Sequence, residues 1–237
     1  MTVSLHRRPS PNFNRRNPSI PLKFIVLHYT GMKTKEEALA RLCDPQAKVS
    51  AHYVVDEVGA IIQLVDEQHR AWHAGESYWQ GTTDINSASI GIELVNPGHE
   101  FGYGAFPAAQ ITALKELMRD IIQRHNLSAA TALLAHSDIA PERKKDPGEL
   151  FPWQELAAEG LGLWPVPHEA DYAPWDEDGA RKLLEAIGYK PASSDEDMQI
   201  TLTAFQRRYY PENLTGVADG ETAARLRALI KPSNSCL

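Results

Sequence analysis

Three short apolar runs, spaced along the first two-thirds of the chain, constrain the fold most. Lys23–Tyr29 (KFIVLHY), Ser89–Val95 (SIGIELV) and Thr131–Ala135 (TALLA) are too short for buried helices and carry the β-branched or alternating pattern of strands. Helical patterns lie between them. Thr34 can cap a helix over Thr34–Cys43, with Glu37 three residues on as in a capping box. Pro107–Asn126 sets Ile111, Leu114, Leu117, Met118, Ile121 and Ile122 on one face. His52–Asp56 and Ala60–Val65 flank the turn Glu57-Val58-Gly59 and predict a hairpin. Alternating strands and helices predict an α/β fold, a mixed central β-sheet flanked by helices.

The ends differ from this middle. Residues 1–21 carry Pro9, Pro11, Pro18 and Pro21, which disfavour helix, so an extended arm is expected. A central domain then spans 22–163, and a proline-rich linker 164–175 follows it. Helical patterns at Glu177–Ile187, Asp195–Tyr209 and Glu221–Leu229 make 176–232 a small three-helix C-terminal domain, with Gly188 stopping the first helix.

The 237 residues carry a net charge of −7, which argues against a broad nucleic-acid partner. No window reaches the ~20 apolar residues of a membrane helix, so no membrane insertion is expected. The basic, proline-rich N-terminus has neither an apolar signal core nor a lipobox. The expectation is a cytoplasmic protein, or a periplasmic one if the start is mis-annotated. No obligate protein partner is evident. The two cysteines, a buried Cys43 and a loose Cys236, are expected to stay free.

Chemistry concentrates at the strand ends. His28 closes the first apolar run, His136 follows another, and Asp146 lies ten residues on in a loop with Pro141 and Pro147. Two imidazoles and a carboxylate make a zinc set that leaves a fourth tetrahedral position for water. Any one of the nine histidines could equally be a structural hydrogen-bonder. Glu93, inside an apolar strand, is either a general base or an outward-facing glutamate, since alternation puts Ile90, Ile92 and Leu94 on the other face. Lys144 is either an oxyanion stabiliser beside Asp146 or part of a solvated basic loop, Arg143-Lys144-Lys145.

The segments FIVLHYT, SAHYVVDEVGAIIQLV, RAWHAGES, SIGIELVN and AHSDIAPERKKDPG resemble, in order, family 2 of the N-acetylmuramoyl-L-alanine amidases. The resemblance runs from about Lys23 to Trp153 and is strongest to its AmiD/AmpD-like branch. It implies the fold shared with peptidoglycan-recognition proteins and T7-type lysozyme. It also implies hydrolysis of the amide between N-acetylmuramic acid, or its 1,6-anhydro form, and L-alanine, in cell-wall turnover or recycling. Carried over by position, His28, His136 and Asp146 match the Zn2+ ligands, Glu93 the proton acceptor and Lys144 the transition-state stabiliser. His52, Arg70, Trp72, His73 and Ala74 are expected to contact substrate, a peptidoglycan fragment or muropeptide, although Trp72 would suit core packing as well. The segments AFQRRY and GVADGETAARL resemble a peptidoglycan-binding domain of the three-helix type. The alternative is a non-catalytic peptidoglycan-recognition protein, and a zinc endopeptidase acting on the stem peptide is a further rival.

Overall fold

The computed structural model describes residues 5–230; Cys236, the start of the expected arm and the last positions of the expected C-terminal domain lie outside that range. In chain order the strands are β1 (Leu5–Arg7), β2 (Phe13–Arg15), β3 (Phe24–Tyr29), β4 (Tyr53–Val55), β5 (Ile61–Gln63), β6 (His69–Ala71), β7 (Ser89–Leu94) and β8 (Leu133–Ala135). The helices are α1 (Lys35–Cys43), α2 (Ile85–Ala88), α3 (Gly98–Phe101), α4 (Ala108–His125), α5 (His136–Ile139), α6 (Trp153–Ala158), α7 (Glu177–Ile187), α8 (Asp195–Tyr209) and α9 (Gly220–Ile230). A 3-10 turn spans Glu169–Tyr172.

Six strands form one sheet in the order β1-β5-β4-β7-β3-β8. Only the β4–β5 pair, the expected hairpin, is antiparallel. The sheet is therefore mixed, as the strand pattern predicted. Within the described part of the expected arm, two strands pair with the rest of the chain: β1 runs parallel to β5 and β2 antiparallel to β6. Prolines keep this stretch from coiling, and β1 covers what would be an open sheet edge at β5.

Alternation along the central strands separates two faces. Ile25 and Leu27 of β3 and Ile90, Ile92 and Leu94 of β7 pack with Leu114, Leu117, Met118 and Ile121 of α4. Burying each such side chain contributes roughly 1.5–3 kcal/mol, so this face alone anchors α4. The helix stops at Asn126, which adopts left-handed φ 50° and returns its N–H to the Ile122 and Gln123 carbonyls. Phe24 and Val26 point to the opposite face, where they share a second core with Trp79 and Ile85 and with Leu202 and Phe205 of α8. His28 is the next residue on that second face.

The helices α7–α9 pack on the sheet domain through this second core. Asp138 in α5 is fully buried and accepts from Arg208 of α8, Tyr189 (2.9 Å) and its own helix's leading N–H at Ala135 (2.8 Å). Arg208 also donates to the Leu133 carbonyl (2.9 Å) and lies over the Trp153 ring. Cys43, at the end of α1, is half-buried rather than buried, with its Sγ facing the Arg8 carbonyl. Among the described residues no helix is long and apolar enough to cross a membrane.

Candidate metal centre and active-site cleft

The carboxy-terminal ends of β3 and β8 sit side by side, with Leu27 opposite Ala135. His28 is the next residue of β3, and His136, directly after β8, opens α5, so the two adjacent strands bring both imidazoles to one point. The third group arrives by a loop. Ser137 N–H donates to the Asp146 carbonyl (3.0 Å), folding residues 140–146 back toward α5. His28 Nδ1, His136 Nδ1 and Asp146 Oδ2 end 2.8, 2.9 and 3.0 Å from one another. All three side chains are buried.

This set fits zinc. His136 Nε2–H donates to the Ala74 carbonyl (3.1 Å), so its Nδ1 presents a lone pair to the cluster. A lone pair and a carboxylate oxygen at these separations repel unless a cation lies among them. A triangle of this size admits a point about 2 Å from every corner, the usual zinc bond length. Burial above all pushes His28 down to about 4, so its imidazole is neutral as a ligand must be.

The cluster lies on a cleft of about 730 Å³. Glu93 and Lys144 line it together with His28, His136 and Asp146. Glu93 does lie opposite the Ile90, Ile92 and Leu94 face, but that side of β7 is the cleft floor rather than bulk solvent. Its Oε2 is buried without a hydrogen-bond partner among the described residues. Burial and the Asp146 charge push the Glu93 carboxyl well above its ordinary value, with Lys144 opposing. Arg143 is engaged differently, since its guanidinium holds the Ala74 and Glu76 carbonyls.

The expected substrate contacts separate in space. Trp72 lines the cleft and donates through Nε1 to Asn14 (2.9 Å). His73 reaches the cleft wall but is buried behind His28, its Nδ1 3.0 Å from His28 Nε2. Ala74 is buried, and its carbonyl serves His136. His52 is fully buried outside the cleft lining: Gly91 N–H donates to its Nδ1 (2.9 Å), and its Nε2 faces the His69 carbonyl (3.1 Å). Arg70 pairs with Asp84 (2.9 Å), also outside the lining. The cleft in turn draws in Arg41, Lys48 and Glu100, which the sequence did not single out. Scattered charged residues on helix ends and loops leave no periodic signal that would have found them.

The N-acetylmuramoyl-L-alanine amidase family matches residues 18–149, more than half of the chain, and the chain belongs to that family. It is thus an amide hydrolase of the amidase class, with the mixed α/β fold of AmiD and AmpD. The N-acetylmuramoyl-L-alanine amidase AmiD of Escherichia coli is 41% identical over 232 residues, covering 89% of this chain and 83% of AmiD. The solved complex of E. coli AmiD with anhydro-N-acetylmuramic acid-L-Ala-D-gamma-Glu-L-Lys superposes with a TM-score of 0.78 at 39% identity, over 91% of this chain and 92% of that one. AmpDh3 from Pseudomonas aeruginosa, solved with anhydromuramic pentapeptide, gives a TM-score of 0.79 at 31% identity, over 93% and 96% of the two chains. The 1,6-anhydro-N-acetylmuramyl-L-alanine amidase AmpD of Haemophilus influenzae is 32% identical over 162 residues, or 61% of this chain and 86% of AmpD.

Proposed function

We propose that this chain is a zinc-dependent N-acetylmuramoyl-L-alanine amidase that cuts the amide between N-acetylmuramic acid, ordinary or 1,6-anhydro, and L-alanine in peptidoglycan fragments during wall recycling. The relatives named for or solved with anhydromuramic substrates support this substrate class. The observation that carries the reading is the convergence of His28 Nδ1, His136 Nδ1 and Asp146 Oδ2 within 3.0 Å, on the cleft that also holds Glu93 and Lys144.

A zinc ion held by these three groups supplies a Lewis acid and lowers the pKa of water toward neutrality. The protein's own residues do the rest. Glu93 takes the proton as water attacks the lactyl carbonyl carbon. A carboxyl raised by burial is a stronger base than an exposed one, so Glu93 suits this step. The Lys144 ammonium balances the negative charge that develops on the carbonyl oxygen. Glu93 then gives the proton to the departing alanine nitrogen, and the C–N bond breaks. Free sugar acid and an intact peptide beginning with L-alanine leave the cleft.

Mass spectrometry of a digest of purified anhydromuropeptides tests the reading. It predicts anhydromuramic acid plus the whole stem peptide, with the products absent after chelation and restored by added zinc. Cleavage within the stem peptide, or turnover unaffected by metal removal, would contradict it.

A further inference from the structure

His73 has no role in the reaction just described, yet the fold makes room for it with unusual care. Its ring lies flat against Gly91 of β7, where a Cβ would come within 2.4–2.7 Å of ring atoms. Only glycine admits the imidazole there, since a methyl group would overlap it. Asn86 Oδ1 fixes the backbone below, accepting from His73 N–H (3.0 Å) and Ala74 N–H (2.8 Å).

The hydrogen bonds around His73 run in a forced direction. The Ile85 carbonyl can only accept, so Ser89 Oγ–H, 2.6 Å away, donates to it. With its single proton committed there, Ser89 Oγ accepts from His73 Nε2, 3.3 Å away, which therefore carries hydrogen. In a neutral ring Nδ1 is then a lone pair, and it faces His28 Nε2 at 3.0 Å. His28 Nε2 must supply that proton, leaving His28 Nδ1 bare toward His136 and Asp146. The chain Ile85–Ser89–His73–His28 ends at the metal centre. On the other side, the Ala74 carbonyl does the same for His136.

We propose that His73, set by Ser89, is a positioning residue that holds His28 in its Nε2–H tautomer so that Nδ1 can bind zinc, and that the Trp72-His73-Ala74 segment thereby serves both ligand histidines. The proposal rests on the zinc reading of the site. Groups that orient metal-binding imidazoles commonly set affinity by 10–100-fold.

The test is zinc affinity by chelator competition on the full chain, with the apo melting temperature of each variant as a control for folding. His73→Phe keeps the ring volume but loses the acceptor; His73→Asn keeps an acceptor oxygen near the Nδ1 position but loses volume. The expected result is zinc binding weakened about 10–100-fold in His73→Phe and largely retained in His73→Asn. The opposite order would mean that the ring merely packs, and would overturn the proposal. Heteronuclear NMR of the wild type should also show His73 as the Nε2–H tautomer; a proton on Nδ1 would reverse the chain and overturn it even if His73→Phe fails to fold. A wild type that takes up no zinc would overturn the metal reading itself, which the unmutated titration detects separately.

Discussion

His28 and Glu93 are register partners on the adjacent parallel strands β3 and β7. Partners in register point to the same face, so the proposed first ligand and the proposed proton acceptor are held side by side by backbone hydrogen bonds rather than by a loop. Such a frame fixes the separation of metal and base without depending on loop order, which is where catalytic geometry is most easily lost.

Glu93→Gln removes the base while keeping the shape. Turnover of anhydromuropeptide should fall by roughly 10²–10⁴-fold. Zinc content and melting temperature should not fall, because among the described residues Glu93 Oε2 makes no hydrogen bond that holds the fold. Wild-type kcat in the zinc-loaded variant would remove Glu93 from the mechanism.

Lys144→Met should lower kcat by about 10²–10³-fold with little change in KM, as expected for a charge that acts on the oxyanion more than on bound substrate. Steady-state kinetics on one defined muropeptide reads both constants. A loss confined to KM would place Lys144 in ground-state binding instead.

His52 should make the fold acid-sensitive. Burial, and then the Arg16 guanidinium, push its imidazole down to about 3 from 6.5. A base with a depressed folded pKa contributes stability that is complete above about 6.5 and is lost as pH falls toward about 3. At pH 4 the loss from this one group is roughly 3 kcal/mol. Urea unfolding of metal-free protein at pH 7 and pH 4 should show a smaller decline in His52→Gln than in wild type. Parallel declines would mean that the ring is charged in the native state.

Arg208→Ala should destabilise the chain by about 3–5 kcal/mol, because it strands the buried Asp138 carboxylate. Since Asp138 caps the helix that begins with His136, the variant should also bind zinc more weakly. Thermal unfolding together with zinc titration checks both effects. An unchanged melting temperature would show that the C-terminal helices do not support α5.

Much of this architecture was legible in the sequence, for identifiable reasons. β3, β7 and α4 follow from strong periodicity, and α7 and α8 start at residues with side chains that cap: Asp176 accepts from Gly179 N–H and Ser194 from Asp197 N–H. His28 and His136 could be found because each directly ends or follows an apolar run. The strands β1, β2 and β6 were not legible: three residues each, they are defined by partners far along the chain. The placements of His52, Arg70 and His73 were hidden for the same reason. A motif shows that residues occur together, whereas Gly91 against the His73 ring and Asp84 beside Arg70 exist only after folding.

The most direct test of the account is a crystal structure of the zinc-loaded protein with anomalous diffraction at the zinc edge. It should show one ion bonded at about 2.0–2.2 Å to His28 Nδ1, His136 Nδ1 and Asp146 Oδ2, with its remaining position open to the cleft. An ion bound elsewhere, or through Nε2 of either histidine, would contradict the account.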